Sequence, residues 1–156
     1  MLGKIKFRIS GEDMKSIAIT FMALLLSNAV LADAEKDIDY RKATMMVVGG
    51  HMKSMGTILK GRMHQSDLKV HADGMKSIAT IVPSLFPEGS GDGKTEALSA
   101  VWENPAEFKM KMDEFVAAAD GMAMAVDSGE MSAIGPAIQK LGGSCKGCHD
   151  DFKNAD

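Results

Sequence analysis

Cysteine is nearly absent from this chain. Its 156 residues hold two, Cys145 and Cys148, both close to the C-terminus. A bridge between them would close a tiny loop and gain little. No second cysteine pair exists to complete a zinc site, and the βαβ setting of a thioredoxin-type redox pair is missing. Proline is scarce as well, and none falls between residues 35 and 60, so nothing there interrupts a long helix. Positive charge is not in excess either. Residues 33–156 carry 14 basic and 19 acidic side chains, a net charge of −5. That argues against a nucleic-acid partner, and no basic stripe suited to a membrane surface is present. The length suffices for one domain with one core.

What is present begins with a leader. Residues 17–26 form an apolar run preceded by Lys15 and followed by Val30-Leu31-Ala32. The pattern reads as a secretory signal peptide over residues 1–32, too short and too weakly flanked to stay as a membrane anchor. Cleavage after Ala32 starts the mature chain at Asp33, with Ala34 a second cut point. Glu12 and Asp13 put acid where a leader carries basic residues, so Met14-Lys15-Ser16 reads as a better start. Residues 33–156 are then a single exported domain, expected in the periplasm.

The two cysteines belong to Cys145-Lys146-Gly147-Cys148-His149. C-x-x-C-H is the pattern of covalent c-type haem attachment, with two thioethers to the porphyrin and an imidazole to the iron. On a helix, positions i, i+3 and i+4 share a face. Cys145, Cys148 and His149 therefore reach one flat disc, and one haem c per chain is expected.

The mature chain reads as four amphipathic helices. Residues 35–60 repeat Ile38, Arg41, Met45, Val48, Met52, Met55 and Leu59 at 3,4 spacing, a bundle seam. Arg41 is out of place there. Its head either reaches water along an aliphatic stem or meets a haem propionate, a bidentate anion suited to its fork. With a haem in the bundle the second reading is preferred. Residues 66–82 form a second helix with Leu68, His71, Met75, Ile78 and Val82 on its seam. His71 is a ligand candidate on spacing alone, and a satisfied or half-exposed histidine is its ordinary reading. His51 and His64 have less to recommend them. Residues 83–95 gather Gly89, Gly91, Asp92 and Gly93 into a loop. A short helical turn is expected over residues 96–102.

Asn104-Pro105-Ala106-Glu107 reads as a helix start, with Asn as cap, Pro in the first position and Glu reaching back. Phe108, Met112, Phe115, Ala119, Met122 and Val126 continue that seam to Gly129. The last helix, residues 131–153, carries Ile134, Ile138, Leu141, Cys145, Cys148 and Phe152. Gly142 and Gly143 lie inside it against propensity, where missing side chains would let a haem lie close to the backbone. The sum is an all-α, antiparallel up-down-up-down four-helix bundle with covalently bound haem in the core. The 14 methionines suit it, since thioethers fill irregular space around a rigid disc.

Residues 141–153, Leu-Gly-Gly-Ser-Cys-Lys-Gly-Cys-His-Asp-Asp-Phe-Lys, resemble the attachment helix of the class II c-type cytochromes, the cytochrome c′ group in particular. Tyr40-Arg41-Lys42 with Gly49-Gly50-His51-Met52 is similar to that family's first helix. Leu85-Phe86-Pro87-Glu88-Gly89, Thr95-Glu96-Ala97 and Trp102 resemble its loop and third-helix entry. The resemblance implies a periplasmic bundle, often a homodimer through its first two helices, with His149 as proximal iron ligand. It implies that Arg41 contacts a propionate, that Lys42, Thr95 and Glu96 line the haem edge, and that Lys153 flanks the imidazole.

It leaves Met45 open. That residue lies one turn beyond Arg41, where it either ligates the iron or packs over an open iron face. A Met–His pair suits an electron carrier with a periplasmic redox partner, and haem-based electron transfer is the expected function. The alternative is a five-coordinate haem protein that binds or scavenges NO or CO. A peroxidase wants a distal acid–base group, and nothing on the first seam beside Met45 supplies one, so no enzymatic turnover is expected.

Overall fold

The computed structural model describes the backbone of residues 11–154 and the side chains of residues 33–154. The leader expected over residues 1–32, with the alternative start at Met14, lies outside the residues whose side chains are described. The chain divides after Asp33, and residues from Ala34 onward form one compact unit.

Four long helices build the fold: α1 (Gly11–Gly61), α2 (Leu68–Ala79), α4 (Pro105–Ser128) and α5 (Met131–Phe152). A short α3 (Ala100–Glu103) leads into α4, and 3-10 turns at Gln65–Asp67 and Val82–Leu85 flank α2. The second helix is therefore shorter than the seam of residues 66–82 suggests. Pro83 sits at the start of the second 3-10 turn, where its fixed φ tightens the chain after α2. The short turn expected over residues 96–102 forms at Ala100–Glu103, starting four residues later and ending one later. Gly129 ends α4 in a left-handed conformation, φ 70°, as a C-terminal glycine does. Asn104 precedes α4, but its side chain makes no capping bond. Its carbonyl accepts from the Phe108 amide at 3.0 Å.

The seams close on one core. Met55, Met75, Met122 and Leu141, one from each long helix, are fully enclosed. Phe108, Met112, Phe115 and Ala119 of α4 join them, with Ile134 and Phe152 of α5. The rings of Phe86, Phe108 and Phe152 stack edge to face, with centroids 4.8 and 5.2 Å apart. Such pairs add to plain area burial. Small residues set helix approach. A Cβ on Gly142 would lie 3.2 Å from the Met52 methyl, and one on Gly74 would lie 2.4 Å from the His51 ring. Gly142 thus admits a side chain of α1. Met52 in turn lines the large cavity described below, while Gly142 and Gly143 themselves do not.

His51 of α1 meets His71 of α2, Nδ1 to Nδ1, at 3.2 Å. Burial, then the neighbouring His71, lowers the pKa of His51. A histidine held neutral in the fold stabilises fully above its unfolded pKa of about 6.5, and that contribution fades as pH falls below it. Denaturant unfolding between pH 7.5 and 5 should therefore show stability falling with acid more steeply in the parent than in His51→Gln.

Candidate functional site

The haem-attachment stripe of α5 opens on a cavity of about 1140 Å³ walled by α1, α4, α5 and the segment 95–97. Small-ligand pockets run from about 300 to 1,000 Å³, so this one has room for a large group. Cys145, Cys148 and His149 line it from α5, Arg41, Lys42 and Met45 from α1, and Thr95 and Glu96 from the loop's end. All eight residues singled out in the sequence thus stand on one wall system. The 3,4 seam of α1 splits there. Val48 and Met55 are buried, while Met45, Met52 and Leu59 are only partly covered and face the cavity. His71, His51 and His64 do not line it.

Burial raises both thiols, Cys148 to about 11. The Lys111 ammonium, which pairs with Asp151 at 3.1 Å, pulls Cys148 the other way. Both sulfurs are therefore S–H groups at neutral pH, unlike the thiolates of zinc or redox sites. The pKa of His149 is lowered by burial and by Lys153, so its imidazole is held neutral, the form that ligates iron.

The loop's end is fixed by backbone pairing. The Leu98 amide donates to the Phe152 carbonyl at 3.0 Å and the Asn154 amide to the Glu96 carbonyl at 2.8 Å. Ala97 and Lys153 form a β-bridge. This pairing brings the Lys153 ammonium to 3.0 Å from the Glu96 carboxylate, at the rim beside His149.

Arg41 is 5% exposed, which rules out the reading in which its head reaches water. Nη1 donates to the Leu85 carbonyl at 3.0 Å and to Ser90 Oγ at 2.9 Å. Nη2 donates to the Ser90 carbonyl and to Thr95 Oγ1, both at 2.8 Å. The ring of Phe86 lies 4.9 Å from Cζ, a cation–π contact. The fork expected on a propionate is thus taken by the loop. Among the described residues, those four bonds take both Nη nitrogens of the guanidinium.

Sequence reasoning missed Ser90, which is fully buried and passes a bond on to the Pro87 carbonyl at 2.8 Å. A serine among loop glycines carries no signal of its own. It also missed the work of Trp102, whose indole N–H donates to the carbonyls of Phe86 and Pro87. A Cβ on Gly91 would fall 2.8 Å from that indole.

The donor set fits a covalent haem. Two thiols and a neutral imidazole share one stripe, the walls are largely aliphatic, thioether and aromatic, and Lys42, Lys53 and Lys60 offer cations at the lining for its carboxylates. Comparison with known proteins agrees. The family model described as Cytochrome C′ matches residues 36–153. A cytochrome c′ of Pararhodospirillum photometricum is 37% identical over 124 residues, covering 78% of this chain and 99% of that one. Among solved structures, cytochrome c prime from Shewanella frigidimarina matches with a TM-score of 0.75 and 33% identity, covering 78% and 97% of the two chains. A ferrous variant of cytochrome c prime from Alcaligenes xylosoxidans with bound NO matches with a TM-score of 0.73 and 25% identity, over 79% and 97%. This chain belongs to the cytochrome c′ family. It is a four-helix bundle whose cofactor is a covalently bound haem c.

Replacing Arg41 by Met keeps the bulk of the side chain and strands buried oxygen acceptors, so the holoprotein should lose about 3 kcal/mol or more in urea unfolding. Arg41→Lys should not restore it, because an ammonium lacks the planar fork.

Proposed function

We propose that this protein is a gas-binding cytochrome c′ whose haem takes NO or CO on an open iron face. The observation that carries the reading is the α1 wall. Between Lys42 and Lys53, α1 lines the cavity with Met45, Met46, Val48, Gly49 and Met52, none of them an acid or a base. Haem iron supplies the bond to a diatomic gas, and the polarity of its distal surroundings decides what binds and what reacts. An aliphatic and thioether wall offers no proton to a bound ligand and disfavours charged ones, so nothing is turned over there. Met45 acts as packing in this reading. The NO complex of the Alcaligenes protein supports it by family likeness.

The neighbouring residues hold the site in shape. His149 would hold the haem iron through its imidazole. Arg41 fastens the loop that ends in Thr95 and Glu96, and Glu96 in turn holds Lys153 at the rim. The leader motif supports export to the periplasm. The described residues contain no helix long and apolar enough to cross a membrane. Val47, Met63 and Val70 are exposed apolar side chains on or beside α1 and α2, and they support a homodimer through those helices.

A second reading, the electron carrier, is favoured by the place of Met45 on the cavity wall, where a thioether can coordinate iron. Absorption spectra of the purified holoprotein, ferric and ferrous, with and without CO, separate the two. A high-spin ferrous spectrum that shifts on adding CO or NO, and stays high-spin in Met45→Leu, is expected. A far-red sulfur-to-iron band, sharp low-spin ferrous peaks and no response to CO would overturn the gas-binding reading in favour of Met45 ligation.

A further inference from the structure

We propose that His51 and His71 form a second metal site, separate from the haem, that takes one zinc, copper or nickel dication between α1 and α2. The two Nδ1 atoms stand 3.2 Å apart. Two nitrogens each bound at 2.0–2.1 Å to a tetrahedral ion stand about 3.3 Å apart, so the separation is already that of a chelate. The rings come from different helices and are inclined at 66°, with centroids 5.4 Å apart. Imidazole is the ligand type suited to these dications.

The seat for His51 is built by a neighbour's lack of a side chain. A Cβ on Gly74 would lie 2.4 Å from Cε1 and 2.7 Å from Nε2 of that ring. Glycine on α2 is what lets an imidazole of α1 lie against it. Neither histidine lines the haem cavity, so the site does not compete with His149. Both rings are half-buried, which leaves a bound ion open to solvent on one side. Among the described residues no third His, Cys, Asp or Glu joins them, and water completes the coordination.

The proton count closes. Without metal, one ring donates its Nδ1–H to the other ring's Nδ1 lone pair. Binding needs both lone pairs, so the donor ring loses that proton to solvent and regains one at Nε2. Two neutral imidazoles enter and two neutral imidazoles remain, each with an Nε2–H, and nothing is oxidised or reduced. A bound ion ties α1 to α2, so thermal stability rises with free metal concentration, as for any ligand of the folded state.

The test uses the ferric haem-loaded protein, freed of adventitious metal by a chelator and titrated with copper(II). Electron paramagnetic resonance of the parent should show hyperfine splitting from two nitrogens at one copper per chain. Zinc should compete for that site in calorimetry, and the haem absorption should stay unchanged. His71→Gln and His51→Gln should lose the two-nitrogen pattern, while His64→Ala keeps it. Splitting from one nitrogen or none in the parent would overturn the proposal, and so would the same copper site in both glutamine variants. The parent spectrum alone counts the nitrogens, so a variant that folds poorly does not decide the matter.

Discussion

Burying one guanidinium is the constraint around which the cavity's mouth is arranged. Arg41 sits on the apolar seam of α1, where an unpaired charge would cost several kcal/mol. The loop that follows α2 answers it with two carbonyls and two hydroxyls, from Leu85, Ser90 and Thr95. To present them, the loop must turn tightly. Gly89 and Gly93 adopt positive φ values of 83° and 133°, which side chains beyond glycine rarely accept. Trp102 holds the same loop from its other side through the Phe86 and Pro87 carbonyls. The position of Thr95 and Glu96 at the rim follows from this anchoring, and with it the pairing of residues 96–98 with the end of α5.

Much of this was legible in the sequence. Heptad spacing located the four long helices, because an amphipathic stripe must be buried whatever its partner. The attachment motif located the cofactor, since its spacing has a geometric cause. The same stripe reasoning put Arg41, Met45 and the C-x-x-C-H residues on the inside, and all of them reach one cavity. Three things were not legible. The role of Arg41 as an anchor for the loop depends on which oxygens lie nearby, and those come from residues 44 to 54 positions away. Ser90 has no periodicity to betray it. The meeting of His51 with His71 depends on the rotation of α1 against α2, which seams fix only loosely, and on Gly74 directly beneath the ring.

The α1 seam also shows how a cofactor protein departs from an ordinary bundle. A seam built for a closed core would bury every member. Here Met45, Met52 and Leu59 are only partly covered, while Met55 and Ile58 are enclosed and Val48 sits where the two stripes meet. The helix thus presents two adjoining stripes, one for the core and one for the cofactor. Sequence hydrophobicity does not distinguish them, because a porphyrin face and a leucine ask the same of a methionine.

The raised pKa values of the two attachment cysteines bear on the folded chain before it holds haem. With a pKa of about 11 for Cys148, only on the order of one thiol in ten thousand is ionised at neutral pH. Disulfide formation proceeds through the thiolate, so a folded chain delivered to an oxidising compartment would close the Cys145–Cys148 bridge slowly. In the folded chain, burial of the pair thus disfavours the thiolate that such a bridge requires.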